Sequence, residues 1–302
     1  MAVGMTLSTT LDNVVPLMIA EARTTLQHGN VMRAKMHKEN LPDNYGSTAH
    51  FPTLGAVVAQ TLTEGVDMNN PQQLSDTDFT ISPGEEGLQI IVTDKVAKRL
   101  QKGILANIGT IASNALNKLE EQNLLALLDG FATSLPGAGT TITKGHISAA
   151  RTRVQNGQSS GEPAPGDSPI HCVLHNYQVH ALLKEFTSIS STVAPSSGIP
   201  TYPIPNGMTQ DMIRTWDLGN VAGTPISGSG LLTVDGSDDA KGGLFSEMAL
   251  WYLTNGNDLN QEDERDASLR ATEMNWTRDY GYGEWKDAWG IELYADASTP
   301  TS

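Results

Sequence analysis

The sequence predicts an α+β protein organised around one unusually long helix. Three observations carry this prediction: an apolar stripe at helical spacing between residues 100 and 119, a β-branched and turn-rich stretch ahead of it, and a C-terminal region in which aromatic and polar residues alternate. The chain has 302 residues, of which 38% are hydrophobic, which suffices for about two domains. The predicted order is arm, hairpin, long helix, mixed α/β region and closing strands.

The long helix is predicted from apolar residues that recur every three or four positions. The stripe consists of Leu100, Ile104, Ile108, Ile111, Ala115 and Leu119. Thr93 or Asp94 offers an N-cap, and a helix from Asp94 to Phe131 would be about 57 Å long. Two glycines in the helix interior each cost about 1 kcal/mol, so packing rather than propensity must hold the segment straight. An ordinary bundle helix is the alternative interpretation.

The stretch before the helix is predicted to be a long extended hairpin covering residues 50–92. Its two ends are rich in β-branched residues, and turn-forming residues lie between them in "DMNNPQQLSD". From Glu39 to Asp94 the chain has nine acidic residues and no lysine or arginine. A hairpin with so few large apolar residues cannot bury itself, so we expect it to lie against another surface.

A basic cluster follows the acidic hairpin directly. It consists of Lys95, Lys98, Arg99 and Lys102. Cations in the first turns of a helix lie at the unfavourable end of its dipole, so we expect an acidic group nearby. A solvated basic face that tolerates this small cost is the alternative.

The second half of the chain predicts a mixed α/β region and closing strands. "IHCVLH" is typical of a buried strand, and "NYQVHALLKEF" predicts an amphipathic helix capped by Asn176. The chain is then rich in loops to about residue 245. In the last part, from "EMALWYLTN" to "YGYGEWKDAWGIELYADA", the alternation of aromatic and polar residues predicts strands.

Two clusters have the composition of metal sites, but their spacing argues against metal binding. The first consists of His171, Cys172, His175 and His180. Residues four apart on one face of a strand are separated by about 13 Å, too far to share one ion. The second consists of Asp235, Asp238 and Asp239, and the twelfth position of this calcium-like loop is Ser246 instead of a glutamate. We predict no metal and no cofactor.

Composition narrows the function classes further. The net charge of −15 argues against general affinity for nucleic acid. The first residues lack a basic region followed by an apolar run, so we expect neither a signal peptide nor a membrane span. Cys172 is the one cysteine, and in a buried strand it is expected to be inert. Catalytic motifs are missing, so we predict that the protein is not an enzyme.

The order and spacing of these elements resemble a tailed-bacteriophage major capsid protein of the HK97-like fold. The hairpin resembles the E-loop, the long helix resembles the spine helix, and "SPIHCVLHNYQVHALLKEF" resembles a strand and helix of the axial domain. The resemblance implies five parts: an N-terminal arm (1–49), the E-loop hairpin (50–92), the spine helix of a peripheral domain (93–135), a mixed α/β axial domain (136–265), and closing strands returning to the peripheral domain (266–302).

The resemblance implies a structural function. Hexamers and pentamers would close into an icosahedral virion shell around double-stranded phage DNA, without sequence-specific binding. Assembly would take place in the host bacterial cytoplasm, with a separate scaffolding protein, a portal and decoration proteins as partners. Three alternatives remain open: the shell protein of an encapsulin-like nanocompartment, a phage tail or decoration protein, and a hydrolase with an unfamiliar site.

The resemblance also implies where the charges meet. In this family the hairpin lies over the peripheral domain of an adjacent subunit. We therefore expect the acidic hairpin to contact the basic helix start of a neighbour, with Arg33, Lys35 and Lys38 of the arm nearby. The acidic residues of this predicted contact are Glu64, Asp67, Asp76 and Asp78. Because the hairpin has no lysine, we predict no cross-linking of the lysine–asparagine type that part of the family performs.

Overall fold

The structure is a computed structural model and describes most of the chain. The described residues are 5–6, 30–40, 47–55, 57–99, 102–157, 164–191, 220–254 and 259–301. Helices α1 to α4 are Asp94–Arg99, Lys102–Ala126, Lys144–Gln155 and Asn176–Ser191. Strands β1 to β7 are Met5–Thr6, His37–Asn40, Ala49–Leu54, Asp76–Ile81, Gly84–Thr93, Ser134–Pro136 and Ile170–His175. Strands β8 to β14 are Asn220–Val221, Thr224–Ser229, Asp239–Ser246, Leu250–Thr254, Asn260–Asp266, Ala271–Glu284 and Gly290–Asp296.

The first sheet is built on the long strand β13. Its order is β1-β5-β13-β11-β2, and β12 also pairs with β13. Strand β5 runs antiparallel to β13 from Thr93, opposite Ala271, to Gly84, opposite Tyr280. On its other side, β13 pairs first with β12 and then with β11. The arm residues of β2 form a parallel edge strand beside β11.

Helix α2 packs along one face of the first sheet. Ala112 and Leu116 are buried there against Trp276, with Ile108 partly buried beside them. The predicted apolar stripe is therefore wrong as a description of the buried face, because Ile111 is 50% exposed and Leu119 is 41% exposed. The helix has apolar residues on two sides, and periodicity alone does not tell which side meets a sheet.

The described part of the predicted long helix comprises α1 and α2. Residues 100 and 101, between α1 and α2, lie outside the described part of the chain. Asp94 is the first residue of α1, in agreement with the predicted start. The α-helix ends at Ala126, a 3-10 turn follows over Leu127–Gly130, and Phe131 is extended. Helix α2 alone is about 37 Å long.

The second sheet contains the predicted strand and helix of the mixed α/β region. Its order is β6-β14-β10-β7-β9-β8. The strand and helix predictions are confirmed by β7 and α4. Gln178 of α4 is fully buried, and its Nε2 donates to the carbonyls of Ala240 (2.8 Å) and Ala295 (2.9 Å), which fixes α4 on two central strands.

A shared core joins the two sheets. The buried side chains come from the arm, the end of α2, the following turn and strands of both sheets: Met32, Met36, Leu124, Leu125, Leu128, Phe131, Val173, Leu232, Phe245, Ala249, Leu250, Tyr252, Tyr280 and Trp289. The C-terminal half of α2 is therefore fixed to both sheets, whereas its middle contacts only the first.

Pairing within the hairpin covers a shorter segment than the predicted residues 50–92. Strands β3 and β4 pair from Ala49, opposite Ile81, to Leu54, opposite Asp76. The return strand then breaks at Ser82 and Pro83, because proline has no N–H to donate to the pairing. The following strand, β5, belongs to the first sheet instead of the hairpin.

Candidate contact surfaces

The outer part of the hairpin exposes an unusual amount of apolar surface. Beyond the last paired residues, Gly55 N donates to Ser75 O (2.7 Å), and the described residues between them form no helix or strand. Seven large apolar side chains here are 54–75% exposed. Leu54 is the last residue of β3, and the other six lie in this outer segment: Val57, Val58, Leu62, Val66, Met68 and Leu74. Covering them would contribute on the order of 10 kcal/mol before the costs of ordering and association.

The four predicted acidic contact residues are all exposed on this hairpin. Glu64 and Asp67 lie in the outer segment, and Asp76 and Asp78 lie in β4. Asp78 has a partner within the hairpin, since its Oδ2 is 2.6 Å from Nδ1 of His50. The exposed hairpin is therefore both apolar and acidic.

The predicted basic cluster lies at α1 and the start of α2. Lys95 and Lys98 are exposed, Arg99 is the last residue of α1, and Lys102 is the first residue of α2. The expected acidic group is Asp94 of the same chain. The Asp94 carboxylate accepts two hydrogen bonds from Arg265, at 2.6 and 2.7 Å. These bonds and the positive charges of Arg265 and Lys98 lower the pKa of Asp94.

Within one chain the root of the hairpin and the start of α1 are far apart. Helix α1 follows Thr93, at the end of β5 that pairs with Ala271. The hairpin root lies at the other end of β13, where Gly281 packs so closely on Ile81 that an added Cβ would be 2.9 Å from Cγ2 of Ile81. Ten residue pairs of β5 and β13 separate these two places, a distance of about 30 Å. The basic cluster therefore lies at the end of the first sheet opposite the root of the acidic hairpin.

The arm is anchored by buried acids that the sequence analysis missed. Glu121 of α2 is fully buried, and its carboxylate accepts hydrogen bonds from the backbone N–H groups of Val31 (3.0 Å) and Met32 (3.2 Å). Burial raises the pKa of Glu121, and the two backbone hydrogen bonds oppose this shift. Residues 30–40 are thus an integral part of the folded chain.

The neighbouring Glu120 binds two arginines. Its buried carboxylate forms an ion pair with Arg278 of β13, which is 5% exposed. Nε of Arg33 is 3.9 Å from the same carboxylate, and the Arg33 guanidinium lies over the Tyr252 ring at 5.3 Å. Arg33 therefore contacts buried side chains of its own chain, whereas the sequence analysis placed it beside the predicted contact between subunits. One signal was visible in the sequence: Glu120 is four residues after Leu116 and four before Leu124, which is a core spacing.

The remaining polar clusters have structural roles. Asp235 Oδ1 accepts from the backbone of Ser237 (2.8 Å) and Asp239 (3.0 Å), so the calcium-like loop is closed by its own hydrogen bonds. Cys172 is fully buried, which raises its thiol pKa to about 12. Among the described residues, no three His, Cys, Asp or Glu side chains form a group able to hold a metal ion.

A cavity of about 490 Å³ lies beside the end of α2. The cavity wall includes Lys241, which forms ion pairs with Asp129 and Glu292, and Tyr294, whose hydroxyl donates to Asp235 (2.7 Å). Its polar groups are therefore engaged with one another. In the part of the chain that the structure describes, no helix has the length and apolar character needed to cross a bilayer.

Comparison with solved structures places this fold among phage capsids. The head structure of Helicobacter pylori bacteriophage KHP40 matches 95% of this chain and 97% of its own, with a TM-score of 0.70 and 13% identity. The capsid structure of cyanophage P-SCSP1u matches 93% and 92%, with a TM-score of 0.66 and 15% identity. A structure of Mycobacterium phage Che8 matches 91% and 94%, with a TM-score of 0.67 and 15% identity. The chain shares the fold of these structures along nearly its whole length.

Comparison by sequence adds no relative. No protein-family model matches the chain. No curated protein matches it either. The chain therefore resembles these structures in fold, whereas its sequence is only 13–15% identical to theirs.

Proposed function

We propose that this chain is the major capsid protein of a tailed bacteriophage. Many copies would form hexamers and pentamers that close into an icosahedral shell around double-stranded DNA. The observation that carries the proposal is the match to phage capsid and head structures, which covers more than nine-tenths of both chains. Because the match covers nearly all of both chains, it favours the same kind of subunit over two proteins that share only a fragment.

The proposed parts of the subunit follow the resemblance described above, with changed bounds: β11 and β12 join the first sheet, and β14 joins the second. We assign the hairpin and its exposed outer segment to the E-loop, α2 to the spine helix of the peripheral domain, and the second sheet with α3 and α4 to the axial domain. The first sheet would complete the peripheral domain, since its central strand β13 returns from the C-terminal part of the chain. Residues 30–40 would form the end of the N-terminal arm, held on α2 by Glu121.

The exposed hairpin supports assembly from many copies. Seven apolar side chains more than half exposed on one excursion are a liability for a protein that stays monomeric. The same side chains stabilise an assembly if a neighbouring subunit covers them. The acidic hairpin is rooted about 30 Å from the basic cluster at α1. A contact between subunits would use both surfaces.

The charge balance suits a container for DNA. With a net charge of −15, the subunit does not retain DNA through its overall charge. A separate scaffolding protein, a portal and decoration proteins would complete the particle, which would assemble in the bacterial cytoplasm. These partners follow from the proposed function.

Electron microscopy of particles tests the proposal. We expect the full chain, expressed with the neighbouring gene products, to form closed icosahedral shells, and particles from infected cells to contain nuclease-protected DNA. Closed shells filled with a cargo enzyme instead of DNA would favour the nanocompartment. Tubes, small rings or surface knobs would favour a tail or decoration protein.

A variant of the hairpin separates folding from assembly. Replacing residues 57–74 by a short turn removes six of the seven exposed apolar side chains, all but Leu54, and retains the paired residues of β3 and β4. We expect this variant to fold but to form no shells. The matched control carries Leu269→Ser, which removes one exposed apolar side chain outside the hairpin. Normal shells from the shortened hairpin would contradict the proposed role of the hairpin.

A further inference from the structure

Trp251 of β11 lies where the arm and the hairpin come closest together. On one side its ring contacts His37 of the arm strand β2, with ring centroids 4.5 Å apart. On the hairpin side it contacts Phe51 at 4.8 Å and Phe79 at 6.1 Å. Trp251 also packs on Trp285, with centroids 5.6 Å apart. One indole is thus shared by the arm strand β2 and by both strands of the hairpin.

The Trp251 ring is held in place by the body of the protein. Its Nε1 donates to the carbonyl of Met248 at 3.0 Å. Trp285 holds the hairpin from the other side, because its Nε1 donates to Oγ1 of Thr53 at 3.0 Å. Strand β13 has a glycine, Gly283, where it faces the hairpin. A side chain there would be too close, since a Cβ on Gly283 would be only 3.2 Å from both Ile81 and Phe79.

The direction of the hairpin depends on these few contacts. Strands β3 and β4 pair only with each other, and the core cluster at their root contains Ala49, Ile81 and Leu253 with partly buried Phe51, Phe79 and Trp251. The outer segment extends up to about 30 Å beyond the last paired residues. A rotation of about 10° at the root would therefore move the tip by about 5 Å. Small changes around Trp251 are amplified at the tip.

We infer that Trp251 couples docking of the arm strand to the direction of the hairpin. When His37 packs on the indole, the ring is held between the arm and the hairpin root, and the hairpin is fixed. When the arm strand leaves β11, one side of the indole loses its packing and the root of the hairpin loosens. The coupling is a property of the single subunit, and only its consequence for shells rests on the proposed function.

Hydrogen exchange of the unassembled full-length subunit tests this coupling. We expect His37→Ala to speed exchange of the hairpin amides, in Ala49–Leu54 and Asp76–Ile81, by about two- to tenfold, the range expected from loss of one aromatic contact. The matched control is Lys38→Ala, which changes the next residue of the same strand, an exposed side chain on its opposite face. The control should leave hairpin exchange unchanged.

Thermodynamic coupling is reciprocal, so the reverse experiment must agree. Phe51→Ala in the hairpin should speed exchange of the arm amides in His37–Asn40 by a similar factor. In a Trp251→Leu background, adding His37→Ala should no longer change hairpin exchange. Unchanged protection of β10 and β14 in the second sheet shows that each variant is folded.

Three results would overturn the inference. The first is hairpin exchange that His37→Ala does not alter, and the second is an equal effect of Lys38→Ala. The third is an effect of His37→Ala that persists in the Trp251→Leu background, because the coupling would then bypass the indole. None of these measurements depends on shell formation, so their failure is distinguishable from failure of the proposed function.

Discussion

The buried ion pair between Glu120 and Arg278 gives the sharpest test of how α2 is held on the first sheet. Glu120 is fully buried and Arg278 is 5% exposed, so both charges have left water. In Arg278→Met the carboxylate of Glu120 stays buried without its main partner, because Arg33 is 3.9 Å away. Removing one partner of a buried pair costs about 3–5 kcal/mol.

Removing both charges should cost much less than removing one. In the double variant Glu120→Met with Arg278→Met, apolar side chains of similar length replace the pair, and Arg33, which loses its contact with Glu120, is 23% exposed to water. Such replacements are often close to neutral, so we expect the double variant to lie within about 1–2 kcal/mol of the wild type. The coupling energy between the two positions should therefore be at least about 2 kcal/mol.

Urea unfolding of the four proteins in this cycle measures these free energies. The exposed pair of Arg265 with Asp94 provides the matched control, since it also has good geometry but its side chains are 51% and 38% exposed. Arg265→Met should destabilise the protein far less than Arg278→Met, because water screens the exposed pair. If the double variant is destabilised by the sum of the two single changes, or if Arg278→Met costs no more than Arg265→Met, the reasoning from burial is refuted.

Three further predictions concern assembly and pH. Reversing Lys98 and Lys102 to glutamate should leave the subunit folded but reduce the number of shells seen in electron micrographs at low salt. Adding Asp76→Lys with Asp78→Lys should partly restore the shells. Normal shells from the first variant would exclude the contact. Boiled, denatured particles should run as one band near 32.3 kDa on a gel, and a ladder of multiples would contradict the predicted lack of cross-links. Burial and the nearby charge of Asp287 raise the pKa of Glu284 from 4.5 to about 7. The corresponding stability is present below pH 4.5 and is lost as the pH rises through about 7. After discounting for the half-exposed side chain, this loss is about 1–2 kcal/mol between pH 5 and pH 8. Glu284→Gln should flatten the pH dependence of the unfolding free energy, and an unchanged slope in that variant would exclude Glu284 as its source.

Local patterns in the sequence were sufficient for the types and order of the main elements. The spacing of apolar residues predicted α2 and α4, and the β-branched run predicted β7, because a helix and a strand place side chains on one face with periods of 3.6 and 2 residues. The charge pattern also placed an acidic exposed hairpin next to a basic helix start. These properties are set by residues close together in the chain.

Long-range pairing decided the rest. Only the tertiary structure shows that Gly84–Thr93 leaves the hairpin and pairs with β13, which places the hairpin root about 30 Å from the basic helix start within one chain. Only packing against Trp276 decided which of two apolar sides of α2 is buried, leaving Ile111 exposed. Glutamate is usually a surface residue, yet Glu120 and Glu121 are buried. Arg278 pairs with Glu120, and the backbone N–H groups of Val31 and Met32 donate to Glu121. These partners come from distant parts of the chain. A buried charge is stable only with such partners, and partners so distant in sequence come together only in the folded chain.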